Sequence, residues 1–170
     1  MAEGCADGVV HAAQGGDRLA FAELYARYVR FVHGIVLSRA PRDDTDDLVQ
    51  DIFVIAMQRI QTLRNPEAFS GWLAAIARNR VTDHLRRAPQ TTELPVDVGV
   101  SDPDRTEALA ALDAIKTLPE AYRETLVLRF VEGMTGPEIA ARTGLTPASV
   151  RVNLHRGMKL LRERLRGAHE

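Results

Sequence analysis

Residues 135–165 read TGPEIAARTGLTPASVRVNLHRGMKLLRERL, and the order of caps, turn and periodic residues in this stretch decides the fold. Thr135 followed three positions later by Glu138 is a capping box, in which hydroxyl and carboxylate each satisfy a backbone N–H at a helix start. It opens a short helix carrying Ile139 and Ala140. Gly144 supplies the left-handed residue of a tight turn. Thr146 caps a second helix, and Pro147 fits its first position, where no amide donor is needed. Along that helix Val150, Leu154, Gly157 with Met158, Leu161 and Leu165 recur at helical spacing and form one inward face. The other side carries Arg151, Val152, His155, Arg156 and Lys159. A short capped helix, a tight turn and a longer basic helix are the parts of a helix-turn-helix. In the first turns of such a helix, arginine reads guanine or grips phosphate, while lysine acts more as a point charge. A solvated basic face would carry the same charges. The agreement of caps, turn glycine, apolar spacing and basic side favours DNA.

Outward from this motif the chain stays helical. In the N-terminal half, Phe21, Leu24, Tyr25, Tyr28, Val32 and Ile35 form one stripe between Asp17 and Arg39. A second stripe, Leu48, Val49, Ile52, Phe53, Ala56 and Ile60, runs from Asp46 to Leu63, with acidic residues at the positive end of the helix dipole. Trp72, Leu73, Ile76, Ala77, Val81 and Leu85 form a third, from Phe69 to Arg87, and a short helix over Asp7–Gln14 precedes them. Residues 88–105 lose the periodicity and hold three prolines and four acids against Arg105, which reads as an extended acidic linker. Periodicity returns with Leu109, Leu112 and Ile115, then Leu126, Val127 and Phe130 after Pro119. The expected fold is all-α, with two small helical domains over residues 1–87 and 106–170.

The composition, 45% hydrophobic and 26% charged in 170 residues, is that of a globular chain. The net charge of −1 hides a segregation of signs. Asp43, Asp44, Asp46, Asp47 and Asp51 form one acidic run, Arg78, Arg80, Arg86 and Arg87 a basic one, and seven basic residues between Arg142 and Arg166 face Glu163 alone. Such blocks imply more than one kind of partner surface. No apolar run approaches the roughly 20 residues that span a bilayer, and no secretory signal opens the chain, so a cytoplasmic protein without membrane insertion is expected. The single Cys5 fits a reducing compartment. The five histidines are scattered, and neither a metal-ligand spacing nor a glycine-rich phosphate loop occurs. Asp83 and His84 are adjacent and point to different helix faces, which argues against a catalytic dyad. Neither an enzyme nor a cofactor is expected.

Six segments carry a resemblance. Asp46-Asp47-Leu48-Val49-Gln50-Asp51-Ile52-Phe53, then Phe69 to Asn79 (FSGWLAAIARN), then Asp83-His84-Leu85-Arg86-Arg87 resemble the second domain of bacterial sigma factors. Leu118-Pro119-Glu120-Ala121-Tyr122-Arg123-Glu124, Glu138-Ile139-Ala140 and Val150 to Arg156 look like the fourth. Order, spacing and linker are similar to the extracytoplasmic-function subfamily, from about Asp7 to Leu165. The resemblance implies a transcription initiation factor with core RNA polymerase, promoter DNA and an anti-sigma factor as partners. It implies that Asp46, Asp47, Leu48, Gln50 and Asp51 dock on the clamp helices of the largest polymerase subunit. Arg64, Asn65, Phe69, Asn79, Arg80, Arg86 and Arg87 would capture the minus-ten element as it melts, with Asn79 in the base pocket. Phe69 and Trp72 have the rings to stack on bases, but an aromatic on an apolar stripe is more often core, and Trp72 is read rather as core. Ser149, Arg151, Val152, His155, Arg156 and Lys159 would read the minus-thirty-five element as duplex. Val152, Asn153 and Met158 depart from the basic or small polar residues common in the family. The acidic linker would lie in the RNA exit path or serve only as a tether. The alternative is a one-component helix-turn-helix regulator, which would bind duplex DNA unaided.

Overall fold

A computed structural model describes residues 4–87 and 103–167. Every regular element among the described residues is helical. The N-terminal half comprises α1 (Gly4–Gln14), α2 (Arg18–Leu37), α3 (Thr45–Arg59) and α4 (Phe69–Arg87), joined by one-turn 3-10 segments at Arg42–Asp44, Ile60–Thr62 and Pro66–Ala68. Asp17 caps α2 by accepting from the amides of Leu19 and Ala20 at 2.8 and 3.2 Å. The Gln14 side chain donates to the carbonyls of Ile60 and Leu63, tying the end of α1 to the turn after α3. The stripes read from periodicity meet in the middle at Leu24 and Ile35 of α2, Leu48 and Ile52 of α3, and Leu73 of α4, all fully buried, and Phe31, outside the stripe as read, joins them, whereas Tyr25 and Leu85 of the stripes are exposed. Each fully buried side chain of this set contributes about 1.5–3 kcal/mol on leaving water.

The C-terminal half comprises α5 (Pro103–Lys116), α6 (Glu120–Phe130), α7 (Gly136–Thr143) and α8 (Pro147–Gly167). Ile115, Leu118, Leu126, Val127 and Leu161 are buried together. The linker expected over residues 88–105 is shorter at its C-terminal end, because α5 already begins at Pro103. Proline suits a first helical turn, where no amide donor is needed, so Pro103 opens the helix instead of extending the linker. Residues 88–102, and with them the rest of the acidic tether, lie outside the described residues.

The two halves abut. Leu128, Met134, Ile139, Ala140 and Val150 are buried in one apolar cluster with the core of α1–α4, and Leu37 of α2 is buried with the core of α5–α8. Gly34 permits this approach, since a Cβ there would lie 2.6 Å from Cδ2 of Leu128.

Candidate nucleic-acid interface

The helix-turn-helix is built as its residues require. The amide and hydroxyl of Thr135 both donate to Glu138 Oε2 at 2.7 Å, and the Thr135 hydroxyl accepts from the Glu138 amide at 3.4 Å. These donors hold the Glu138 carboxyl below the usual carboxylate range. Gly144 ends α7 at φ 76°, a left-handed conformation that glycine adopts without a Cβ clash. Thr146 then accepts from the Ser149 amide at 3.1 Å and fixes the start of α8.

With both ends set, α8 turns Val150, Gly157 and Leu161 inward. Arg151, Val152, His155, Arg156 and Lys159 are all exposed on the opposite side. Arg151, Val152, His155 and Arg156 together line a shallow concavity of about 320 Å³. Two guanidinium groups, an imidazole and one apolar surface on the exposed side of the first turns of a helix match the edge chemistry of a major groove. Ser149 stands apart from this set: it is half-buried, and its hydroxyl is shared with Thr146 at 2.9 Å. Arg142 is also drawn away from solvent, with its guanidinium 5.1 Å from the centre of the Tyr28 ring. Burial lowers its pKa.

The second basic cluster lies on α4. Asn79, Arg86 and Arg87 are exposed, and Arg80 is half-buried in an ion pair with Asp51 at 2.6 Å. Arg64 and Asn65 are exposed in the turn before α4, where the Asn65 side chain accepts from the Glu67 amide. Phe69 has a different place from the base-stacking one. It is 2% exposed, with its ring 5.1 Å from Tyr28 and 5.7 Å from Trp72, and a side chain so enclosed is core. Trp72 is partly buried against the same cluster.

On α3, Asp46, Asp47, Gln50 and Asp51 are exposed and form an acidic start. Leu48 is 2% exposed, so it anchors the helix and presents nothing to a partner. The exposed side continues into Val54 and Met57, which are 48% and 52% exposed. Both sit three or four positions beyond Gln50 or Val54, off the buried stripe, and that offset was the available signal for them. Asp44 and His84 meet at 2.9 Å and tie the start of this helix to α4. No group of three or more His, Cys, Asp or Glu among the described residues is placed to hold a metal ion. No described helix is long and apolar enough to cross a membrane.

Residues 24–90 match the Sigma-70 region 2 family, and residues 108–161 match the family described as Sigma-70, region 4. The chain is 30% identical over 185 residues to the ECF RNA polymerase sigma-E factor of Haemophilus influenzae, covering 97% of this chain and 98% of that one. The chain belongs to the ECF sigma factors. It is also 32% identical over 160 residues to the RNA polymerase sigma factor CarQ of Myxococcus xanthus, covering 88% of this chain and 91% of its relative. The solved structure of CnrH in complex with the cytosolic domain of CnrY aligns with it at a TM-score of 0.66 and 27% identity, over 95% of this chain and 97% of CnrH. As a sigma factor the protein acts in transcription initiation. The helix-turn-helix just described falls within the region 4 match, and α3 with α4 within the region 2 match.

Proposed function

We propose that this sigma factor carries core RNA polymerase to promoters through three separate faces. The N-terminal half, residues 1–87, docks on the largest subunit of core polymerase through Asp46, Asp47, Gln50 and Asp51, with Val54 and Met57 adding apolar contact. The same half captures the minus-ten element through Asn79, with Arg64, Asn65, Arg80, Arg86 and Arg87 tracking the backbone of the separated strand. An unstacked base needs a pocket with hydrogen-bonding groups, and its phosphates need cations; α4 supplies both residue types on one helix. The C-terminal half, from about residue 106, reads the minus-thirty-five duplex through Arg151, Val152, His155, Arg156 and Lys159. Polymerase supplies the chemistry and this chain the address, so the work is done in the cytoplasm. CnrH was solved with the cytosolic domain of a second protein, which supports a protein antagonist for this chain too.

The observation that carries this reading is the exposed basic face of α8, held in register by caps at Thr135 and Thr146. Transcription in vitro with purified core enzyme on a genomic library tests it. A restricted set of start sites that depends on the added chain is expected. Tight autonomous binding to duplex DNA without any response from core enzyme would instead mark a one-component regulator.

A further inference from the structure

We propose that Gln14, the last residue of α1, is a positioning residue for the minus-ten turn. Its side-chain amide fixes the peptide that carries Arg64, and so sets which base of the melted strand the turn accepts. The role of Arg64 and Asn65 rests on the function proposed above; the clamp itself rests on hydrogen bonds between α1 and the turn.

The clamp joins residues far apart in the chain. Gln14 Nε2 donates to the carbonyl of Leu63 at 2.7 Å and to that of Ile60 at 3.0 Å, across 49 and 46 positions. A side-chain amide has two N–H donors, so both are used and the group is held in one orientation. Its reach is set by the seating of α1. Val10 is fully buried and Ala13 nearly so, in one apolar cluster with Ile60 and Leu63. Besides α2, α1 packs on both one-turn segments that flank the turn, Ile60–Thr62 and Pro66–Ala68.

What Gln14 holds is the peptide between Leu63 and Arg64. A trans peptide is planar and carries its C=O and N–H on opposite edges. With the Leu63 carbonyl bound to Gln14, the Arg64 amide is turned to the edge away from that side chain, and Arg64 itself is exposed. The next residue is fixed independently. Asn65 accepts from the Glu67 amide at 3.1 Å through its side chain and from the Ala68 amide at 3.0 Å through its carbonyl. The backbone is therefore tied on both sides of Arg64, by α1 before it and by the Pro66–Ala68 segment after it.

Selection among bases is a matter of position. An unstacked base is read by hydrogen bonds to its edge, and these weaken steeply with poor distance or angle. A group that meets the right base and misses a wrong one has to be held within about 0.5 Å, which a turn achieves only when its backbone is tied. Gln14 acts through the turn, as a support behind the residues that face the strand. Its chemistry is replaceable in a telling way. Glutamate has the same shape but, ionised, only accepts hydrogen bonds, so it would set a carboxylate against two carbonyl oxygens and push the turn away. Lysine has three donors and no acceptor, and keeps the tie.

The test is transcription in vitro by core enzyme with the full chain, on a promoter whose minus-ten element is varied to each base at each position. The readout is the ratio of output on the preferred base to output on the others. Loss of folded protein lowers all templates together and leaves this ratio unchanged, whereas a displaced turn lowers the ratio. Gln14→Glu is expected to reduce it about fivefold at one position, and Gln14→Lys to stay within about twofold of the wild type. Gln14→Ala removes the donors without adding a charge, and carries the test if the carboxylate prevents folding. Arg64→Ala and Asn65→Ala identify the position concerned. An unchanged ratio in a folded variant that lacks the donors, or glutamate and lysine variants that behave alike, would overturn the positioning role. If Arg64→Ala and Asn65→Ala change no ratio, the minus-ten assignment of the turn fails and the role of Gln14 with it. If they change one and Gln14→Glu does not, the assignment of the turn stands and the positioning role alone fails.

Discussion

His33 of α2 and Glu132, which lies just beyond α6, meet at 2.5 Å although 99 positions separate them in the chain. The hydrogen bond to Glu132 raises the imidazole pKa above its ordinary 6.5, burial opposes this, and the carboxylates of Glu132 and Asp46 add to the rise. Arg42 lines the same cavity as His33 and Asp46. A cationic His33 therefore stabilises the folded chain. Its contribution is complete below the ordinary imidazole value and is lost as pH rises through the raised one. Glu120 and Glu138, whose carboxyls are held low, act only at the acid end and leave this window clear. Urea midpoints of the wild type should fall as pH rises from mildly acid to mildly alkaline, and those of His33→Gln should fall less. Equal slopes for the two proteins would remove His33 from the linkage.

The second prediction concerns the frame of the helix-turn-helix. Thr135 holds two bonds of the capping box, so Thr135→Ala should cost about 1 kcal/mol of stability. Gly144 has a φ of 76°, and Gly144→Ala forces a Cβ into the left-handed region at a cost of about 1 kcal/mol. Chemical denaturation of each single variant reads both numbers. A neutral Gly144→Ala would mean that the turn relaxes to another conformation.

These two sites show what the sequence made legible. Capping, turn glycines and apolar stripes are local, so α4 appears with the bounds read from periodicity, Phe69–Arg87, and the caps at Thr135 and Thr146 appear with their bonds made. What stayed hidden was non-local. Leu48 and Phe69 carry a family motif, but whether a motif residue faces a partner or the core depends on which helix packs above it, and both are buried. Glu124 looks like one more acid on an amphipathic helix. Its burial between Arg39 and Arg78, 85 and 46 positions away, has no signature in spacing. The family resemblance sets Ser149 among the DNA-facing residues, yet its hydroxyl is shared with Thr146 of the cap that precedes it.

Charge reversal on α3 separates polymerase docking from DNA contact. Asp47 is exposed, whereas Asp51 is paired with Arg80 at 2.6 Å. Asp47→Arg should therefore weaken binding to core polymerase, by about tenfold for a loss near 1.4 kcal/mol, without altering the fold. Asp51→Arg should do this and also free Arg80. Affinity measured with immobilised core enzyme compares them, and undiminished binding of Asp47→Arg would mean that polymerase docks elsewhere.

The basic face of α8 divides by chemistry. Arg151→Ala or Arg156→Ala should each cost about 1–3 kcal/mol on the preferred promoter where a bidentate base contact is lost, and should relax preference at one position. Lys159→Ala should weaken all sequences alike and reduce the salt dependence of binding by about one unit of slope. Holoenzyme binding to promoter variants across a salt series distinguishes the patterns. If both arginine variants behave as the lysine variant does, the face grips phosphate and reads no base.

Asn79 allows the sharpest separation of steps. It is exposed on α4 between Arg78, which is held by Glu124, and Arg80, which is held by Asp51, so it is the neutral hydrogen-bonding group in a row of tethered cations. A residue that binds an extruded base contributes nothing while the duplex is intact. Asn79→Ala should therefore leave closed-complex affinity unchanged and lower the open-complex population about threefold to tenfold, the loss of one hydrogen bond. Permanganate reactivity of unpaired thymines reads the open fraction, and a filter assay on ice reads the closed one. Phe69→Ala is the contrasting variant: it empties a core position and should cost about 3–5 kcal/mol of folding stability, depressing both assays together through loss of folded protein. A parallel fall in both assays for Asn79→Ala, at full folded content, would place Asn79 in duplex binding and leave the melted strand to another residue of α4.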